Sequence, residues 1–183
     1  MGVFSKFRHK DNINLTKSDF KTQSERSEVI SVKLSDDFFD KFPDAKKKDN
    51  YLGNSTLTVK TASISLFNNP VEVVFYPIEI KVKEEKFISK MNQTLNWISS
   101  YNDKIEKGIV DKLLFLKNEA WLEENETEIN ETEFKKKLTL TSILFLADSS
   151  SELVYDDGDL FWGHQIVVGS SAENELTDIN IRG

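Results

Sequence analysis

Cysteine is absent from the 183 residues, and proline and histidine are scarce, at three and two copies. Without a thiol there is no disulfide framework, thiolate nucleophile, iron–sulfur cluster or zinc knuckle, and nothing here depends on an oxidising compartment. His9 lies in a Lys-rich N-terminus far in sequence from His164, which argues against a zinc site built on two or three imidazoles. No apolar run follows Met1-Gly2-Val3-Phe4-Ser5-Lys6, so neither a signal peptide nor a membrane-spanning helix is expected. Lys6 stands where a myristoylation signal wants Ser or Thr. Gly-rich phosphate loops, serine nucleophile elbows and kinase signatures are missing too. Five N-x-[ST] matches, including Asn125-Glu126-Thr127 and Asn130-Glu131-Thr132, would matter only in a secreted chain, and a cytoplasmic protein is expected.

A basic excess is also lacking. With 24 Lys and Arg against 31 Asp and Glu, a net charge of −7 and a pI near 5.0, the chain has no electrostatic footprint for phosphate, so nucleic acid is not an expected partner. The triplets Lys46-Lys47-Lys48 and Lys135-Lys136-Lys137 are too short and too diluted by acids to form a nucleic-acid groove. Charge is unevenly placed: residues 1–50 hold 11 basic and 9 acidic side chains, the remainder 13 and 22. That shift suggests an N-terminal arm over 1–50, partly disordered, with a strand and a short capped helix at 28–42, followed by a domain over 51–183. Apolar residues in 1–27 show no period, which favours a mobile arm there.

The domain reads as α+β: strands, then helices, then strands, giving an antiparallel sheet with two helices packed on one face. Leu57–Thr61 and Ser63–Phe67 alternate, and Asn68-Asn69-Pro70 before Val71–Tyr76 is a hairpin signal. Ile78, Ile80 and Val82 continue an alternation past Pro77. From Glu84 the period becomes helical: Phe87, Ile88, Met91, Leu95, Ile98 and Tyr101 form one stripe, and Ile105, Ile109, Leu113, Leu116 and Ala120 a second. Asn102-Asp103 between them suggests a turn or a cap, hence two helices. Strands are expected again over Leu138–Leu146, Glu152–Tyr155, Phe161–Val168 and Leu176–Ile181, with Trp162, His164, Ile166 and Val168 sharing a core-facing side.

Asp111-Lys112-Leu113-Leu114, Asn118-Glu119-Ala120-Trp121-Leu122, Glu128–Phe134, Leu138-Thr139-Leu140, Tyr155–Ile166 and Leu176–Gly183 together resemble the bacterial domain-of-unknown-function family 2262, closely over 109–183 and less so over 51–108. Two departures are Ser149-Ser150-Ser151, where the family usually has a Gly-containing turn, and Gln165, where it usually has Ser. The resemblance implies a cytoplasmic α+β domain with no established activity. By analogy between families, small bacterial domains of this kind are often immunity proteins of toxin systems.

Two segments are candidates for function. Tyr155, Asp156, Asp157, Asp159, Trp162 and His164 place three carboxylates around Gly158 with an imidazole nearby, a group able to bind a hard cation or move a proton. It fails the calcium-loop template, and Asp-Gly turns and half-buried aromatics give it a purely structural reading as well. The acidic run 119–133 carries seven acids and no base, and Glu123, Glu124, Glu126 and Glu128 form a candidate surface for a basic protein partner. Its structural reading is a solvated loop, with Trp121 and Trp97 as core residues rather than partner anchors. The sequence therefore favours a non-catalytic protein-binding module, of which an immunity protein is the specific form, with no cofactor or metal. The alternative is a metal-assisted hydrolase using Asp156, Asp157, Asp159 and His164.

Overall fold

Phe67 and Asn68 both adopt left-handed backbone, at φ of 54° and 66°, between strands β2 (Ser55–Leu66) and β3 (Asn69–Phe75). Two consecutive residues of positive φ match the right-handed twist of the flanking strands, and Leu66 accordingly pairs with Asn69. In the computed structural model, which describes residues 12–27 and 55–183, this hairpin belongs to a seven-stranded sheet whose spatial order follows the chain. The remaining strands are β1 (Lys21–Ser27), β4 (Thr139–Phe145), β5 (Ser151–Asp156), β6 (Gln165–Ser170) and β7 (Leu176–Arg182). All neighbours are antiparallel except β3 and β4. A parallel pair needs a long crossover, and here it is helix α1 (Glu84–Ala120) followed by the short helix α2 (Glu131–Lys137). The fold is thus α+β with a mostly antiparallel sheet and two helices.

The helical stripes belong to one 37-residue helix, not to two helices joined at Asn102-Asp103. Ile98, Asn102, Ile105, Ile109 and Leu113 are all buried, at steps of three or four residues, so the apolar stripe runs through the expected turn without changing phase. Asn and Asp lower helix propensity only modestly, and no Gly or Pro breaks the backbone there. Asn102 is accommodated by donating from Nδ2 to Glu106 Oε1 one turn on, at 2.6 Å. The core joins this stripe to Val71, Val73 and Phe75 of β3, Ile143 and Phe145 of β4, Leu153 and Tyr155 of β5, Ile166 and Val168 of β6, and Phe134 of α2.

Residues 12–27 are packed against the domain rather than forming a mobile arm. The Ile13 and Leu15 amides donate to Asn96 Oδ1 and Asn92 Oδ1 at 3.0 and 2.8 Å, and the two Asn amides return bonds to the Ile13 and Leu15 carbonyls. Asn92 and Asn96, one turn apart on α1, thereby act as a side-chain ladder for an extended segment. Phe20 then enters the core edge-on to Phe75, at 5.1 Å between ring centroids, and β1 pairs with β2 from Lys21 opposite Thr61 to Ser27 opposite Ser55. Three apolar residues spaced over eight positions carry no period, so the pattern has no signal for packing that rests on backbone pairing. The strand and helix expected at 28–42, and the charge boundary near residue 50, lie outside the described residues.

Two further elements differ from expectation. Pro77–Glu79 is a 3-10 turn and Ile78 is exposed, so the alternation past Pro77 is not a strand. The strand expected from Phe161 begins only at Gln165, because residues 157–163 form successive turns.

Candidate functional site

Asp157, Gly158, Asp159, Trp162 and Gly163 lie between β5 and β6, and the last four have positive φ. Asp157 organises this turn from inside. It is 3% exposed, and its carboxylate accepts from the Asp159 amide at 3.0 Å and the Phe161 amide at 2.6 Å, one through each oxygen. Asp156 accepts from the Gly158 amide at 2.8 Å in the same manner. Gly158 is required twice over: its φ is +56°, and a Cβ there would stand 2.9 Å from the Lys137 carbonyl oxygen. Lys137 Nζ donates to the Gly158 carbonyl, tying the turn to the end of α2.

His164 closes the turn. Its Nδ1 lies 2.6 Å from the Phe161 carbonyl, which can only accept, so Nδ1 is the donor of this bond. The ring is also covered by Gly183, where an added Cβ would clash with it. Tyr155, by contrast, lies in the core at 1% exposure, with a hydroxyl that has no hydrogen-bond partner. Burial holds its ionisation well above the usual phenol range, with the nearby Glu106 charge adding to the shift. Tyr155 is therefore removed from any surface chemistry.

Trp162 is the largest departure from the expected face. It is 54% exposed at φ +54°, while Leu160 and Phe161 take the buried positions. The expected alternation fails because the turn reverses the backbone twice before the strand starts. Ile166 and Val168, within β6, do face the core. The Trp162 ring packs on Trp121 at 4.8 Å between centroids, and Trp121 also meets Phe161 at 5.4 Å and His164 at 5.3 Å. Trp121 ends α1 and begins the acidic loop, so one aromatic cluster joins the two segments that were separate candidates in sequence.

The acidic loop is pinned at both ends by residues the charge pattern does not reveal. Lys117 is 1% exposed and its Nζ donates to the Trp121 carbonyl and Glu126 Oε2, both at 2.7 Å. The same Glu126 oxygen accepts from the Glu123 amide. The bond from Lys117, then that from Glu123, holds the Glu126 carboxyl below the usual carboxylate range. Asn118 bonds both backbone groups of Ile129, and Asn130 caps α2 by accepting from the Thr132 and Glu133 amides. Glu126 is thus a structural anchor, whereas Glu123, Glu124 and Glu128 are exposed. The only sequence sign of this anchoring is a Lys at a position of the α1 stripe where an apolar residue is expected.

Beside the turn lies a cavity of about 460 Å³ lined by Thr141, Asp156, Asp157, Gly158, Asp159, Gly163, His164 and Gln165. Asp157 already spends both oxygens on backbone amides, and among the described residues no group of three or more His, Asp or Glu side chains is placed to hold a metal ion. Residues 49–181 match the family model described as an uncharacterised protein conserved in bacteria, DUF2262. The chain belongs to this family. No curated protein and no solved structure matches it. The DUF2262 match takes in the turn, the aromatic cluster and the acidic loop, and leaves out β1 and the segment laid along α1. Among the described residues, no helix is long and apolar enough to cross a membrane.

Proposed function

We propose that this DUF2262 protein is a non-catalytic, cytoplasmic binding module that engages a basic protein through Trp162 and the acidic loop beside it. The observation that carries the reading is Trp162 itself: a large aromatic more than half exposed, in left-handed backbone and packed on a second Trp. Non-glycine residues in that conformation cost about 1 to 3 kcal/mol and persist where function or surrounding structure demands them. Tryptophan is also the residue type most enriched at interface hot spots. Glu123 and Glu124 lie two and three residues after Trp121 in the chain and are exposed, as are Asp156 and Asp159 in the turn. A cationic partner surface fits such a rim, since ring faces attract guanidinium and ammonium groups and carboxylates steer their approach.

Asp156, Asp157 and His164 are instead bonded to the backbone of the turn they hold, which weighs against the hydrolase alternative. Within the binding reading, an immunity protein that masks a basic toxin accounts for the net charge of −7. The test is co-purification from the native host followed by titration of the captured partner. Trp162→Ala is expected to weaken binding by at least about tenfold, as hot-spot truncations do, while lowering the melting temperature by less than about 4 °C. A partner bound equally well by Trp162→Ala and by the triple variant Glu123→Gln, Glu124→Gln, Glu128→Gln overturns the reading. Protection of cells from that partner's toxicity on co-expression decides the immunity form.

A further inference from the structure

We infer that β7 pairs edge to edge with β7 of a second copy of this chain, forming a two-fold dimer whose sheet runs continuously through both copies. β7 is the last strand of the sheet, and among the described residues only β6 pairs with it. Its outer row of amides and carbonyls is therefore a template for another strand. Edge strands are commonly blunted by Pro, Lys or a β-bulge. Leu176–Arg182 contains neither Pro nor Lys, and its register shift opposite Gly169 lies before Ile179, leaving Ile179–Arg182 in regular pairing.

The occupant follows from charge. The two ionised residues of the strand, Asp178 and Arg182, are opposite in sign and four apart, with Asn180 midway. An antiparallel pair centred on Asn180 sets Asp178 of each copy opposite Arg182 of the other, so the strand is complementary to itself. Directly opposed unlike charges favour a register, and like charges disfavour it. Shifting the centre to Ile179 loses both pairs and sets Leu176 against Arg182.

The same register places Ile179 opposite the second copy's Ile181. Both are half-buried against the core of their own copy, and the pairing covers the side that remains open. Arg182 already donates two bonds to Glu152, at 2.9 and 3.1 Å, and Asp178 already accepts from Thr177 Oγ1 and Asn180 Nδ2. A guanidinium has five N–H donors and a carboxylate about four acceptor sites, so each retains capacity for the other. Beside the edge, Leu176 and Ile179 lie next to Gly108 of α1 and line, with Asp111, Lys112 and Asp178, a groove of about 340 Å³. A single strand pair with this groove falls at the small end of specific interfaces, so the dimer should form in the micromolar range or above.

The test is sedimentation velocity on the full chain from low micromolar to several hundred micromolar, with hydrogen exchange at both ends of that range. The expected result is a monomer–dimer equilibrium, with concentration-dependent protection of amides in 176–182. Asp178→Arg and Arg182→Asp should each raise the dissociation constant by about tenfold or more, and the double swap should restore it. A chain that stays monomeric throughout overturns the proposal, as does a dimer whose added protection falls outside β7, a readout that needs no variant. A dimer unaffected by either single change, or not restored by the double swap in proteins of native circular dichroism, also overturns it.

Discussion

Tyr155, Asp157 and Trp162 look alike as members of one polar and aromatic segment, but their environments give them opposite sensitivities to mutation. Tyr155 is buried with an unpartnered hydroxyl, so Tyr155→Phe removes a desolvated group without leaving another unpaired. Its stability should stay within about 1 kcal/mol of wild type or rise, whereas Tyr155→Ala should cost about 3 to 5 kcal/mol. Both are read from urea midpoints. Asp157→Ala deprives two amides of their acceptor, one of them buried, and should cost about 2 to 3 kcal/mol. Trp162→Ala should cost less than about 1 kcal/mol despite removing the larger side chain, because more than half of that side chain is already in water.

At the level of elements, α1 and the loop that follows it can be tested directly. If α1 is continuous, Asn102→Pro removes a mid-helix hydrogen bond and should cost about 3 kcal/mol or more, where a turn between two helices would tolerate it. Lys117 and Glu126 make a second prediction. The Glu126 carboxyl is held below its ordinary 4.5 by its bond from Lys117, so its contribution is complete above that value and is lost as pH falls through the lower folded value. Glu152, held down by Arg182, behaves in the same way. Stability should therefore be flat down to about pH 5 and decline below it, and Glu126→Gln should shallow that decline. At neutral pH Glu126→Gln should cost about 2 kcal/mol, less than the loss of a fully buried pair because a third of the Glu126 side chain meets water. Glu123→Gln, Glu124→Gln and Glu128→Gln should each be near neutral, which chemical denaturation of the four variants will distinguish.

For the whole molecule, the consequential finding is that the sheet extends beyond the residues matched by the family. Deleting residues 1–27 removes β1, the Asn92 and Asn96 ladder contacts and the Phe20 ring from the core. Loss of Phe20 alone is worth about 3 kcal/mol, and in a chain of this size each kcal/mol moves the melting temperature by about 2 to 4 °C. The truncated chain should melt roughly 10 °C or more below the full one by calorimetry. An unchanged melting temperature would mean that β1 contributes nothing to the domain.

What periodicity determined by itself was the class of the fold and the identity of most elements, because period two and period 3.6 are local properties of the chain. The Phe67-Asn68 hairpin and strands β4, β5 and β7 were legible within a residue or two, whereas α1 was legible as helix but divided at Asn102-Asp103, with the exposed Tyr101, Leu116 and Ala120 placed on its apolar stripe. The resemblance of residues 109–183 to DUF2262 was legible as well. Tertiary structure decided the rest, wherever the determining partner is remote in sequence. Asn92 and Asn96 have no visible purpose until residues 13 and 15 arrive, more than 70 positions away. Lys117 reads as an interruption of an apolar stripe until Glu126 folds back to it. Trp162 reads as core by alternation, and is exposed because Asp157 bends the backbone through a turn of left-handed residues. Only the meeting of Trp121 with Trp162 joins an acidic loop and an aspartate turn into one surface, since side-chain contact across 41 residues depends on how the chain returns and leaves no pattern in the residues between.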